Sequence, residues 1–217
     1  MQIFLDTANI QEIKELIQYG IIDGVTTNPS LISKINSTDD TKWFAAIKEI
    51  CNCVDGDVSV EVIDREFEGM VENGGKVLDI ASNVVLKLPL TWEGIKACNY
   101  FSKRGNKVNM TLCFSSNQAL IAAKAGAEYV SPFIGRVDDI GYDGLRLIED
   151  IKLIFTNYNI KTKIIAASIR NAYHIYKASQ IGADICTAPA SIIKGLLTNP
   201  LTDIGIVKFE NDWNITK

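Results

Sequence analysis

Strict alternation of eight short β-rich runs with helical patterns constrains this chain more than any other feature. The runs lie at 3–6, 24–27, 58–63, 84–88, 107–112, 129–134, 163–167 and 184–187. Between them apolar residues recur at helical spacing, as in Ile10, Ile13, Leu16 and Ile17, or Leu145, Ile148, Ile151 and Phe155. Gly20, Gly105, Gly126 and Gly182 each close an amphipathic stretch and precede a strand, the position of a helix C-terminal cap. The junctions Ala125-Gly126-Ala127-Glu128-Tyr129-Val130 and Ile181-Gly182-Ala183-Asp184-Ile185-Cys186 nearly repeat one another. Parallel neighbours need helical crossovers, so the alternation predicts a parallel sheet. An open doubly wound sheet would carry a glycine-rich turn after its first strand. Here that turn reads Leu5-Asp6-Thr7-Ala8-Asn9. Eight units in 217 residues suit the small end of the closed barrel. The expected architecture is α/β, a single (β/α)8 TIM barrel over residues 1–217, with 201–217 as a C-terminal helical tail able to pack on a neighbouring subunit.

Composition narrows the chemistry. A net charge of −4 argues against a nucleic-acid groove or an anionic membrane surface as partner. The longest apolar runs fall well short of the ~20 residues of a membrane span. Met1-Gln2-Ile3-Phe4-Leu5-Asp6 has no basic region and meets an acid at once, so no signal peptide is expected. Cys51, Cys53, Cys98, Cys113 and Cys186 are odd in number and scattered, which favours reduced thiols and a cytoplasmic location. The single histidine, His174, makes a metal site or a His-dependent nucleophile a poor expectation, and its setting reads as an ordinary helix residue. Chemistry on this chain falls to Lys, Asp, Glu, Thr or Tyr.

Strands buried on both faces should read as nearly unbroken hydrophobics. Seven of the eight are interrupted by polar groups in or just after the strand: Asp6, Thr26 and Asn28, Glu61, Lys87, Asn109 and Thr111, Ser131, and Ser168. Singly each has a bland reading; Asp6 and Asn28 could cap the following helices. Together they describe one polar mouth at the C-terminal strand ends, where barrel enzymes keep their sites. Lys87 is the sharpest, an amine among apolar neighbours in Val84-Val85-Leu86-Lys87-Leu88-Pro89. Burial disfavours ammonium and makes such an amine a candidate Schiff-base nucleophile, unless it is a structural partner of Glu61 or Asp6. Lys208, near Asp203 and Glu210, reads as a solvated tail residue. Arg136, Ser168 and Arg170 have the composition of an anion clamp. Surface pairing of the arginines with Asp138, Asp139 or Glu149 is the alternative.

These residues resemble a known family. The chain looks like a transaldolase of the short subfamily that also contains the fructose-6-phosphate aldolases, over residues 1 to about 212. The motifs that carry the likeness are Phe4-Leu5-Asp6-Thr7-Ala8, Gly24-Val25-Thr26-Thr27-Asn28-Pro29-Ser30-Leu31, Val85-Leu86-Lys87-Leu88-Pro89, Val108-Asn109-Met110-Thr111-Leu112, Ser131-Pro132-Phe133-Ile134-Gly135-Arg136 and Ala167-Ser168-Ile169-Arg170-Asn171. The resemblance implies that Lys87 forms a Schiff base with C2 of a ketose phosphate and that Asp6 takes the C4 hydroxyl proton. It implies that Glu61 and Thr111 hold a proton-shuttling water, and that Asn28, Asn109 and Ser131 bind the dihydroxyacetone portion. Arg136, Ser168 and Arg170 would bind phosphate. It further implies no cofactor and no metal, sugar phosphates as small-molecule partners, and a homo-oligomer, by resemblance a decamer. The aldolases carry Gln where Glu61 stands and Tyr where Phe133 stands, so both positions are of the transferase type. A phenol at position 133 could help protonate the enamine and release free dihydroxyacetone; a phenylalanine cannot. The alternatives are an aldolase, which would need no acceptor, and a non-catalytic sugar-phosphate sensor, which would need the arginines but not a buried amine.

Overall fold

The computed structural model describes residues 1–32 and 40–215. Its strands are β1 (Gln2–Asp6), β2 (Gly24–Thr26), β3 (Val58–Glu61), β4 (Val84–Pro89), β5 (Val108–Cys113), β6 (Tyr129–Pro132), β7 (Lys163–Ala166) and β8 (Ile185–Ala188). They pair in sequence order, all parallel, and β8 closes on β1. The helices are α1 (Ile10–Ile17), α2 (Pro29–Ile32), α3 (Asp40–Cys53), α4 (Phe67–Leu78), α5 (Trp92–Ser102), α6 (Ser116–Lys124), α7 (Ile134–Asp138), α8 (Gly144–Asn157), α9 (Ala172–Ile181), α10 (Ala190–Gly195) and α11 (Pro200–Ile215). All eight expected strands are present, displaced at their ends by a residue or two. The run expected over 129–134 stops at Pro132, because Ile134 and Gly135 turn into α7 and donate to Ala167 and Ser168 carbonyls beyond β7.

Local chemistry sets the helix limits. Asn9, Thr91, Ser115, Asp143 and Asn171 each accept a backbone N–H from the first turn of their helix. The two near-identical junctions terminate helices in one way. Gly126 and Gly182 sit at φ +94° and +93°, and the N–H of Ala127 and of Ala183 reaches back to the carbonyls of Ala122 and Ala178. A residue with a Cβ resists that left-handed conformation, so glycine ends both helices.

Two apolar bodies hold the barrel together. The larger lies between the strands' outward faces and the surrounding helices, and includes Leu5, Val25, Val60, Leu86, Met110, Ile148 and Ile164. The smaller is a plug of five residues in the barrel, Phe4, Val85, Tyr129, Ile165 and Ile185. A β1-facing glycine makes room for it, since a Cβ on Gly24 would lie 2.6 Å from the Phe4 ring. Beneath the plug the Tyr129 hydroxyl donates to Asp57 at 2.5 Å, and Lys107 pairs with Asp57 at 2.8 Å. Side chains alternate along a strand, so the next inward residues above the plug are Asp6, Lys87, Ser131, Ala167 and Thr187. The apolar part of the interior is one layer thick, and polar groups begin directly above it.

No helix among the described residues is long and apolar enough to cross a membrane. The expected tail is a helix, α11, with none of its described side chains buried. It exposes Leu201, Ile204, Val207, Phe209, Trp213 and Ile215.

With so thin a plug, each member should matter. Ile165→Ala is expected to cost about 2–5 kcal/mol in urea unfolding, the range of fully buried large-to-small changes. A loss below about 1 kcal/mol would show that the plug is not what holds the strands' inner faces.

Candidate active site

Lys87 is 4% exposed, on the inner face of β4. Its amine lies 3.0 Å from Glu61 Oε2 and donates to the Thr27 carbonyl at 3.0 Å. Register explains the pairing: Glu61, Lys87 and Asn109 are direct partners across β3, β4 and β5, so their side chains emerge side by side on one face. The Thr27 carbonyl stands just past the end of β2, where it is free to accept from a side chain. The alternative left open by sequence, an amine paired with Glu61, is what the structure contains. That pairing also hands the amine a proton acceptor, which a nucleophilic role needs.

Asp6 is half-buried at the end of β1 and accepts from the Thr26 hydroxyl at 2.9 Å. Thr26 Oγ1 lies in turn 2.6 Å from Thr187 Oγ1. Burial pushes the Asp6 carboxyl above its ordinary range; the Lys87 charge and the Thr26 hydrogen bond pull it down, and the Glu61 carboxylate pushes it up again. Asp6 does not cap α1, whose cap is Asn9. Asn28 does cap: its Oδ1 accepts from the Leu31 N–H at 3.0 Å, and among the described residues its amide N–H2 has no acceptor.

Asn109, fully buried, donates to Ser59 Oγ at 3.1 Å and accepts from Ser131 Oγ at 2.7 Å, so three strands share one hydrogen-bonded row. Thr111 is the one buried side-chain polar atom among the described residues with no protein partner. It stands where the β5–β6 register shifts between Met110 and Cys113, beside Leu112 at φ +59°. Irregular strand ends of this kind re-aim side chains, and strained backbone gathers at functional sites.

Ser168 and Arg170 lie on the segment after β7 that packs against Gly135, and Arg136 follows that glycine in α7. Gly135 N–H donates to the Ser168 carbonyl at 3.1 Å. Gly135 must lack a side chain, since a Cβ there would lie 2.1 Å from that oxygen. Ser168 holds φ +59°. Arg170 pairs with Asp139 at 2.8 Å, the surface alternative, so an anion would have to compete with that carboxylate. Among the described residues no carboxylate pairs with Arg136, whose guanidinium lies 5.4 Å from the Phe133 ring centre. His174 is more than the ordinary helix residue expected. It is buried, accepts from the Arg170 backbone N–H at Nδ1 and meets Asp138 through Nε2 at 3.2 Å. It therefore ties α7 to the loop carrying Ser168 and Arg170.

A cleft of about 610 Å3 opens beside Asp6, lined also by Thr7, Asn9, Glu12 and Ser191. A groove of similar size between α8 and α9 contains none of the groups above. Sequence reasoning missed Ser59 and Thr187, and offered Asp139 only as one of three carboxylates that the arginines could meet. Thr187 had a signal, because alternation from Ile185 turns it inward.

The sequence profile described as "Transaldolase/Fructose-6-phosphate aldolase" matches residues 3–216. Proteins named probable transaldolase are similar over the full length. One from Methanococcus maripaludis strain S2 is 52% identical over 98% of this chain and 97% of its own. One from Roseobacter denitrificans is 53% identical over 100% and 98%, and one from Petrotoga mobilis 51% over 98% and 95%.

A raised Asp6 carboxyl carries a stability consequence. Folding favours its protonated form, so the ionised form costs stability, and that cost is absent below the ordinary value of 3.8 and grows as pH rises through it. Asp6→Asn is expected to melt a few degrees above the parent at about pH 7 and to lose that margin near pH 4. A variant less stable than the parent at neutral pH would contradict the electrostatic account of this site.

Proposed function

The chain belongs to the transaldolase/fructose-6-phosphate aldolase family, and from that premise we propose that it is a transaldolase. In this reading it moves a dihydroxyacetone unit from fructose 6-phosphate or sedoheptulose 7-phosphate to erythrose 4-phosphate or glyceraldehyde 3-phosphate. The observation that carries the reading is a buried lysine amine with a carboxylate and a backbone carbonyl each 3.0 Å away, in a barrel interior that also holds the Asp6 carboxyl.

The Lys87 amine adds to C2 of the ketose, and loss of water gives an iminium. Glu61 is positioned to take and return the amine's protons through a water that the unpartnered Thr111 hydroxyl helps hold. Asp6 accepts the C4 hydroxyl proton as the C3–C4 bond breaks, its electron pair flows into the iminium, and the aldose departs. The enamine left on Lys87 adds to the second aldehyde, which takes back the proton, and hydrolysis frees the amine. The iminium is the electron sink, so the cycle draws on no cofactor. Asn28, Asn109 and Ser131 hydrogen-bond the three-carbon unit. Ser168, Arg136 and Arg170 bind the phosphate, with Arg170 exchanging Asp139 for it.

The choice of transferase over aldolase rests on Phe133. Its ring packs edge-on against Phe114 at 5.9 Å and under Arg136, with no hydroxyl to offer the enamine. An enamine without a proton donor waits for an aldehyde. The substrates and the five free thiols both suit the cytoplasm. A second copy of the chain is the natural cover for α11, whose apolar residues face water in the isolated protomer. A decamer is the assembly that the family resemblance suggests.

Two measurements test this reading. With fructose 6-phosphate alone, release of glyceraldehyde 3-phosphate should be slow, and erythrose 4-phosphate should accelerate it. Phe133→Tyr should raise the acceptor-free rate by as much as about 10²-fold, the low end of general acid assistance, and depress transfer. Cleavage without acceptor at the transfer rate would make the parent protein an aldolase. For assembly, sedimentation at micromolar protein should show no species near the 23.9 kDa protomer mass. A single peak at that mass would remove the role given to α11.

A further inference from the structure

We propose that Thr187 is a positioning residue for Asp6: its buried hydroxyl donates to Thr26 and so keeps the Thr26 proton directed at the Asp6 carboxylate. This rests on the reading of Asp6 as the base. β8 and β2 flank β1, and their threonines meet inside the barrel with hydroxyl oxygens 2.6 Å apart, Thr26 being 2% and Thr187 3% exposed.

Proton counting gives the chain a direction. A threonine hydroxyl has one proton. Thr26 gives its proton to Asp6 Oδ1 at 2.9 Å, so in the 2.6 Å contact Thr26 accepts and Thr187 donates. In this order every hydroxyl proton has an acceptor and the chain ends on an ionised carboxylate. The reverse order would run from a protonated Asp6 through Thr26 to Thr187. Among the described residues the Thr187 hydroxyl has no other hydrogen-bond partner, so its own proton would then be left buried without an acceptor. Both hydroxyls are therefore set for the base form. After Asp6 has taken a proton, the same pair favours its return, which a group that accepts and gives back a proton in each cycle requires. Burial works against the ionised carboxylate, and this pair works against burial. Dipoles fixed before the reaction need no reorganisation during it.

Thr187→Val keeps the shape and removes the hydroxyl, Thr187→Ala removes it without an added methyl, and Thr187→Ser retains it. The expected result is a kcat for transfer lower by about tenfold in Val and Ala, a fraction of the roughly 10²–10⁴-fold that a placed base supplies. The acid limb of the kcat profile should move to higher pH in both, with KM for fructose 6-phosphate unchanged and Ser near the parent. Borohydride trapping of dihydroxyacetone, which forms the imine without breaking a carbon–carbon bond, should be unaffected. A parent-like pH profile in Val and Ala, or a loss that Ser does not restore, would overturn the proposal. Asp6→Asn with parental kcat would instead overturn the reading of Asp6 as the base, and the role of Thr187 with it.

Discussion

An ammonium group inside a barrel has to be answered within hydrogen-bond distance, and the rest of the interior is arranged around that answer. Moving such an ion out of water costs several kcal/mol unless partners replace its hydration. Lys87 finds Glu61 and the Thr27 carbonyl, both at 3.0 Å. The Glu61 carboxylate then stands close enough to Asp6 to act on its ionisation, and Asp6 in turn is held by Thr26. One buried charge thus requires a second and influences a third. The neutral row of Ser59, Asn109 and Ser131 satisfies itself beside them and adds no charge. Below, the interior can be apolar for one layer only, which is the five-residue plug over the Asp57–Tyr129 contact.

That arrangement explains what could be read from the sequence. The alternation that sets the fold is local, and so are the glycines that end helices; the twin junctions at Gly126 and Gly182 share one hydrogen-bonding pattern. Lys87 was legible because a charged residue flanked by valine and leucine has no bland place in a buried strand. Alternation marks Thr187 as inward, but the roles of Thr187 and Ser59 were not legible, since a lone hydroxyl in a strand usually satisfies backbone, and their meaning depends on which side chains lie across the barrel. Register between strands far apart in the chain creates those contacts, and no local pattern reports it. His174 shows the same limit. Its helix was evident, but its bonds to Asp138 and to the Arg170 backbone join segments that meet only after the barrel closes.

The ends of β6 and β7 combine two demands on few residues. Phe133 faces the mouth, stacks under Arg136 and precedes the helix whose glycine touches the Ser168 carbonyl. A change meant to alter the fate of the enamine at position 133 therefore also touches the arginine proposed to bind phosphate. Close packing of backbone at Gly135 leaves little freedom for these groups to move apart. Arg170 is already engaged by Asp139, so in the proposed phosphate site its contribution to affinity would be the difference between two anions.

The central claim is covalent: Lys87 carries the substrate carbons. Incubating the protein with fructose 6-phosphate and borohydride, then digesting it and locating the added mass, tests that claim directly. The account predicts a reduced three-carbon adduct on the peptide containing Lys87, and no adduct in Lys87→Arg. An adduct on another lysine, or active enzyme that borohydride and substrate leave unmodified, would contradict it.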